Sequence, residues 1–240
     1  MSRLGIFASS MSSGLPVSGA TLWLDASDAT TFSYSSGSLV SQWSDKSGAG
    51  NDFTQSTVGT QPTRTANLQN GLPGVQFRPG GGTNFKWLGR TWDWAASQNT
   101  TFIVLKILSG YYQAAFSAGV NGTLSYAIDN GQSYAIFKNG IAPYTYNLVA
   151  TLSNADVAVW KSTAVSSGSV TTYFYKNGTA ASGTQTITGL STSSSAQVGA
   201  ATTVESITQY ICEVIYYPSQ LSDANRNLVE AYLKAKWGTP

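Results

Sequence analysis

The chain of 240 residues has no histidine, a single cysteine, three glutamates and few charges of either sign. Without histidine, Ser-His-Asp and Cys-His arrangements and every histidine-containing metal site are excluded. The lone Cys212 excludes an internal disulfide framework and reads as a small core hydrophobe. Glycoside hydrolysis needs no histidine but usually sets two carboxylates about 5 to 10 Å apart. The glutamates are Glu205, Glu213 and Glu230. Glu213 has Ile211 and Ile215 as its period-two neighbours, Glu230 falls in a helical stretch, and no strand candidate carries two acids on alternate positions. Asp25 and Asp28 in "LDASD" follow a strand end, where Asx turns account for them. The glycines of "RPGGGTNFKW" (78–87) lack the ending of a phosphate-binding loop and read as a hairpin tip. The chain is therefore expected not to be an enzyme.

With 13 Lys+Arg against 11 Asp+Glu and no run of like charge, an electrostatic footprint for nucleic acid is missing. No apolar run approaches the roughly 18 residues of a membrane span, and "MSRLGIFASSMSSG" is too weakly apolar for a secretory signal. The expectation is a protein made in the cytoplasm without a signal peptide, bound to neither nucleic acid nor membrane.

Ser, Thr, Gly, Tyr and Trp dominate what remains, a composition that favours strands joined by small-residue turns. Strand candidates fall at 21–25, 39–43, 74–77, 101–108, 123–128, 133–138, 144–150, 156–162, 170–176 and 209–217. "TFIVLKIL" (101–108) and "DVAVWKS" (156–162) are apolar on both alternations, as central strands are. Asn-Gly pairs end "FKNG" (137–140) and "YKNG" (175–178), each marking a type I′ hairpin. One helix is predicted over 223–237, capped by Ser222, with an apolar stripe of Ala224, Leu228, Tyr232 and Ala235 beside Val229 and Leu233. The fold class is all-β, a two-sheet antiparallel sandwich with one C-terminal α-helix. A Ser/Gly-rich arm, residues 1–17, precedes a single domain over 18–240.

The stretch "WSDKSGAGNDF" (43–53) crowds Asp45, Lys46 and Asp52 around two glycines. Gly48 and Gly50 permit left-handed backbone, and Asp, Ser and Asn side chains bond back to nearby amides, so a structural turn is the leading reading. A calcium site would draw on Asp45, Asn51 and Asp52, but needs six to eight oxygens and hence backbone carbonyls, Asp25 or Asp28 in addition. Ligand contact is the third possibility. No cofactor is otherwise expected.

The blocks "LWLDASD" (22–28), "VSQWSDKSGAGNDF" (40–53), "QPT" (61–63), "NGLPGVQF" (70–77), "YKNG" (175–178), "ICEVIYY" (211–217) and "LSDANRNLVEAYLKAKWG" (221–238) resemble, in order, a concanavalin A-like or laminin-G-like jelly-roll family. Such domains are frequent in bacteriophage virion proteins and bacterial surface proteins. The resemblance implies that Trp43 packs inward while Asp45, Ser47 and Asn51 satisfy the turn's backbone. It further implies a virion accessory protein, a head-decoration, head-fibre or tail-associated subunit located on the particle and used in host adsorption. The alternative is a lectin module of a bacterial surface or secreted protein. Partners would be other virion proteins, a cell-surface glycan and further copies of the chain. Leu4, Ile6 and Phe7 are the arm's apolar anchors for assembly. For carbohydrate, "RTWDWAASQNTT" (90–101) supplies Trp92, Asp93, Trp94, Gln98 and Asn99, unless both tryptophans plug one end of the core.

Overall fold

The computed structural model describes residues 14–77, 86–108, 113–118, 124–128, 133–137, 144–152, 154–164, 166–190, 194–199 and 209–240. The strands are β1 (Leu22–Asp25), β2 (Phe32–Ser36), β3 (Leu39–Trp43), β4 (Phe53–Thr54), β5 (Thr63–Gln69), β6 (Leu72–Gln76), β7 (Leu88–Thr91), β8 (Asn99–Ile107) and β9 (Gln113–Ala118). They continue as β10 (Leu124–Ile128), β11 (Ser133–Phe137), β12 (Tyr144–Val149), β13 (Ala155–Ser162), β14 (Val170–Lys176), β15 (Thr179–Ala180), β16 (Gln185–Ile187), β17 (Ser195–Val198) and β18 (Gln209–Tyr217), followed by helix α1 (Asp223–Trp237).

Every pairing between named strands is antiparallel, and together they make two layers. In the first, β1 and β6 share one edge of β18, whose other edge pairs with β8; β13, β14 and the short β15 and β16 follow. The second runs β2, β3, β4, β7, β17, β9, β10, β11, β12. β5 turns the corner, pairing with β3 of one layer and β6 of the other. The all-β sandwich expected from the strand pattern is thus the observed architecture, and β8 and β13 occupy central places in the first layer.

Alternation along the second layer separates its two faces. Leu88, Val198, Phe116, Tyr126 and Ile136 stand in one register row across five strands, all buried in the core. The contact between layers is aromatic: Tyr126 of β10 stacks on Trp160 of β13 at 5.0 Å and 7°, with Phe174 4.9 Å beyond. Ring stacks of this kind add to the area they bury.

Helix α1 lies on the outer face of the first layer. The Ser222 hydroxyl accepts the Asn225 amide as N-cap, and Gly238 closes the helix at φ 62°. The expected stripe is displaced around the helix. Ala224, Ala235 and Leu228 face solvent, Leu228 at 52% exposure, while Arg226, Val229, Glu230, Leu233 and Trp237 are buried. Arg226 pairs with Glu230 at 2.8 Å and lies over the Tyr175 ring, so the helix turns an internally neutralised polar pair inward and leaves an apolar residue outside. Of the hairpins, Asn177 (φ 49°) and Gly178 (φ 87°) form the turn after β14. The other Asn-Gly, 139–140, lies outside the described residues, as do residues 1–13 of the arm with Leu4, Ile6 and Phe7, and Glu205. Leu15 and Val17, at the arm's end, pack on the core.

Between α1 and the first layer lies a buried knot of charge. Asp25 of β1 and Glu213 of β18 face each other directly across the strands, 3% and 0% exposed. Lys236 bridges them at 2.7 and 2.8 Å. Glu213 Oε1 accepts the Trp23 indole N–H at 2.7 Å and the Tyr232 hydroxyl at 3.0 Å, and Oε2 accepts the Trp237 indole N–H at 2.6 Å. Burial pushes the Glu213 carboxyl above its usual range. Burial also acts on Asp25, but Lys236, Lys46 and Ser27 outweigh it and hold that carboxyl low. Replacing Glu213→Gln turns an amide N–H toward donors that need an acceptor. Urea denaturation is expected to show a loss of about 3 kcal/mol; a loss under about 1 kcal/mol would mean that Asp25 alone anchors Lys236.

Candidate functional site

The turn at 43–53 is built from side-chain to backbone bonds. Asp45 Oδ1 accepts the Trp23 and Ser47 amides, both at 2.8 Å, and Oδ2 accepts the Ser47 hydroxyl at 2.7 Å and the Asn51 amide at 2.9 Å. Asp52 accepts the Asp45 amide and the Gln42 side chain, and the Asn51 side-chain Nδ2 donates to the Thr21 carbonyl. Gly48 and Gly50 have φ 88° and 73°, the left-handed backbone that glycine tolerates. Trp43 is fully buried. Because the Lys46 amide also donates to the Trp23 carbonyl, the turn closes the edge of β1 that does not face β18, protecting a strand edge that would otherwise be open. The carboxylate oxygens of the calcium candidates Asp45 and Asp52 point to protein donors, and the third candidate, Asn51, donates its side-chain amide. Lys46 spans Asp25 and Asp28 at 2.8 and 2.9 Å, and no group of three or more metal-binding side chains occurs among the described residues.

The carbohydrate candidates do not share one surface. Trp94 is 0% exposed, packed on Phe116, Tyr126 and Tyr216, and its carbonyl accepts the Tyr216 hydroxyl. Asn99 is equally buried and accepts the Tyr126 hydroxyl at 2.9 Å. Trp92 is half-buried, edge-on to Tyr216 at 4.9 Å. Asp93 precedes a short 3₁₀ turn (Trp94–Ala96), and only Gln98 is exposed. The tryptophans thus plug the core, because β7 carries them past the end of the second layer into the space between sheets.

A different surface offers a binding geometry. Helix α1 occupies the outer face of the first layer; the outer face of the second carries a groove of about 600 Å³ over β3, β4, β7 and β17. Its floor follows from the alternation that made the core. One residue along from the apolar row, Gln42, Thr54, Gly89 and Gln197 line up in a single register row. The same row continues through Ser117 and Ser125, both buried. Ser41, Gln55, Ser56, Trp87, Arg90, Thr91 and Ser195 complete much of the lining. Among the described residues that line it, Trp87 is the one aromatic ring, half-buried and seated on Gly89. A Cβ at position 89 would stand 2.6 Å from Trp87 Cζ3 and 3.1 Å from Cε3, so the glycine is what lets the indole lie against the strand. Gln55 supports it by donating to the Trp87 carbonyl at 3.5 Å.

Trp87 sits at the end of "RPGGGTNFKW", a stretch whose sequence signals only a hairpin. Gln55 and Gln197 lie in segments with no motif. The pairing of Asp25 with Glu213 also differs from the sequence expectation, which searched for acids along one strand, whereas the fold sets them on two. That pair is sealed beneath α1 with each oxygen taken, by Trp23, Tyr232, Lys236 and Trp237 on Glu213 and by Ser27, Lys46 and Lys236 on Asp25.

No family model matches the chain, and no curated protein does. Solved structures do. Trypanosoma rangeli sialidase in complex with sialic acid matches with TM-score 0.60 and 14% identity, over 94% of this chain and 34% of that one. The binding domain of botulinum neurotoxin DC matches in complex with rat synaptotagmin II, with TM-score 0.61 and 14% identity over 92% of this chain and 55% of that one. In complex with SialylT it matches with TM-score 0.58 and 14% identity, over 92% and 54%. At this identity the likeness establishes a shared all-β fold. The chain spans about a third of the sialidase's length and about half of the toxin domain's.

Gly89→Ala places a methyl where the Trp87 ring now lies, and the ring must move. The fold is expected to survive, with a loss of about 1 to 3 kcal/mol, while tryptophan emission shifts as Trp87 gains solvent. An unchanged emission spectrum would contradict the seating of Trp87 on Gly89.

Proposed function

We propose that this chain is a carbohydrate-binding, lectin-like module whose ligand lies in the groove against Trp87. The observation that carries the reading is the groove itself, in which, among the described residues, the Trp87 ring stands on the outer sheet face among side-chain amides and hydroxyls. A pyranose presents an apolar face and a rim of hydroxyls. An aromatic ring receives the first, and Gln, Ser and Thr side chains, as donors and acceptors, receive the second. The volume lies within the range of small-ligand sites. Support from outside the chain is that proteins of the same fold occur in complexes with sialic acid and with SialylT. A binding role rather than hydrolysis is favoured because the carboxylates that the described strands set side by side are closed off from any ligand.

The finer reading, a virion accessory protein that uses this module in host adsorption with residues 1–17 as its attachment arm, is supported by the resemblance of the blocks at both ends of the sequence. A place for the gene among capsid or tail genes would support it, and a place within a polysaccharide-utilisation locus would favour the bacterial lectin instead.

Trp87→Ala is expected to weaken glycan binding about thirtyfold, on the order of the 2 kcal/mol of a central aromatic anchor, without lowering the melting temperature appreciably. Glycan-array binding that persists unaltered in the folded variant would remove the groove as the site.

A further inference from the structure

We infer that Gln197 is the specificity-determining group of the groove, its amide taking two adjacent hydroxyls of a pyranose stacked on Trp87; this rests on the groove being a glycan site. Its neighbours on β17, Ala196 and Val198, are fully buried in the core, which turns Gln197 to the groove side of the layer. There it stands across from Gly89, the residue beneath the Trp87 ring, on a strand about 5 Å away. Gln197 is only 8% exposed, yet its amide has no hydrogen-bond partner among the described residues. Other buried amides are bonded, as buried polar groups ordinarily are: Gln61 donates to the Gln55 carbonyl, Gln209 to the Ala114 and Gly199 carbonyls, and Asn99 accepts the Tyr126 hydroxyl. The indole N–H groups of Trp43, Trp94 and Trp160 also lack partners, but they are shut inside the core, whereas Gln197 lines the groove.

The other amides of the lining are committed to the fold. Gln42 Nε2 donates to Ser44 Oγ at 2.9 Å and to Asp52 Oδ2 at 3.0 Å, which uses both of its N–H bonds. An ionised carboxylate only accepts, so Asp52 fixes the orientation of that amide and leaves its oxygen alone for a ligand. Gln55 donates to the Trp87 carbonyl at 3.5 Å and accepts the Thr57 amide at 3.0 Å. Among the described residues, Gln197 is therefore the amide of the lining that keeps both ends for a ligand. A primary amide sets an acceptor oxygen and a donor nitrogen side by side in one plane, the complement of two neighbouring hydroxyls of which one donates and the other accepts. A ring stacked on the indole turns its hydroxyl edge sideways, toward β17. Binding then gives Gln197 the partners that the fold withholds, and a sugar lacking either hydroxyl leaves half of the amide unpaired, a mismatch that discriminates between ligands.

An array of neutral and acidic pyranosides, probed with the full chain, supplies the ligand. Titration calorimetry then follows the tightest-bound glycan and derivatives of it in which single hydroxyls are replaced by hydrogen. Gln197→Met, close in shape but without the amide, is expected to weaken the parent glycan about thirtyfold, the scale of two hydrogen bonds. Its melting temperature should hold or rise, because no bond of the fold is removed. Removing either of two adjacent hydroxyls should cost the unsubstituted protein about fivefold and cost Gln197→Met nothing, the non-additivity that marks a direct contact. Gln197→Leu makes the same comparison if Gln197→Met fails to fold. Unchanged affinity in the folded variant, or a pair of hydroxyls that matters equally with and without the amide, would overturn the inference and leave the Trp87 site standing. A melting temperature lowered by several degrees in both variants would also overturn it, by giving the amide a structural bond. Absence of binding to every pyranoside by folded, unsubstituted protein would overturn both.

Discussion

Glu213 is the group on which the arrangement of this protein turns. It is wholly enclosed, and its two oxygens receive donors from β1 and from three residues of α1. A buried ion pair contributes little against an apolar replacement of the same shape, yet removing one partner is costly, because the other charge is left dry and alone. The knot therefore acts more as a specification of place than as a source of stability. It permits one seating of the helix, the one in which Lys236 reaches Asp25 and Glu213 together and Trp237 reaches Glu213.

That seating decides where a ligand has room. A sandwich has two outer faces. With α1 on the first layer, the open groove lies on the second, where alternate residues of the strands that build the core supply a polar floor. The register that puts Val198 and Phe116 side by side on the core face puts Gly89, Gln197 and Ser117 side by side on the opposite face of the layer. Core and candidate site are two faces of one alternation, and a slip of one residue in β7 or β17 would exchange them.

The tryptophans illustrate how context divides one residue type among roles. Trp94 and Trp160 are closed into the aromatic contact between layers, Trp23 and Trp237 serve as hydrogen-bond donors to a buried carboxylate, and Trp87 lies over a glycine at the groove. The turn at 43–53 has a similar double use, since Asp45 and Asn51 fasten it to β1 while the Gly50 carbonyl steadies Arg90.

Much of this was legible in the residues themselves. Period-two runs marked strands such as Val170–Lys176 and Gln209–Tyr217 at their observed bounds, the doubly apolar runs marked the central strands, and Ser222 marked the start of α1. The turn at 43–53 was readable because its bonds are local, between residues a few positions apart. Shorter strands such as Phe53–Thr54 and Thr179–Ala180 escaped, since two residues carry no period. The buried face of α1, the meeting of Asp25 with Glu213 and the groove around Trp87 were decided only by the tertiary structure. Each depends on contacts between distant residues, as between Trp23 and Glu213, 190 positions apart. Alternation tells which side chains share a face of a strand; only packing decides which face is covered and which remains open to a ligand.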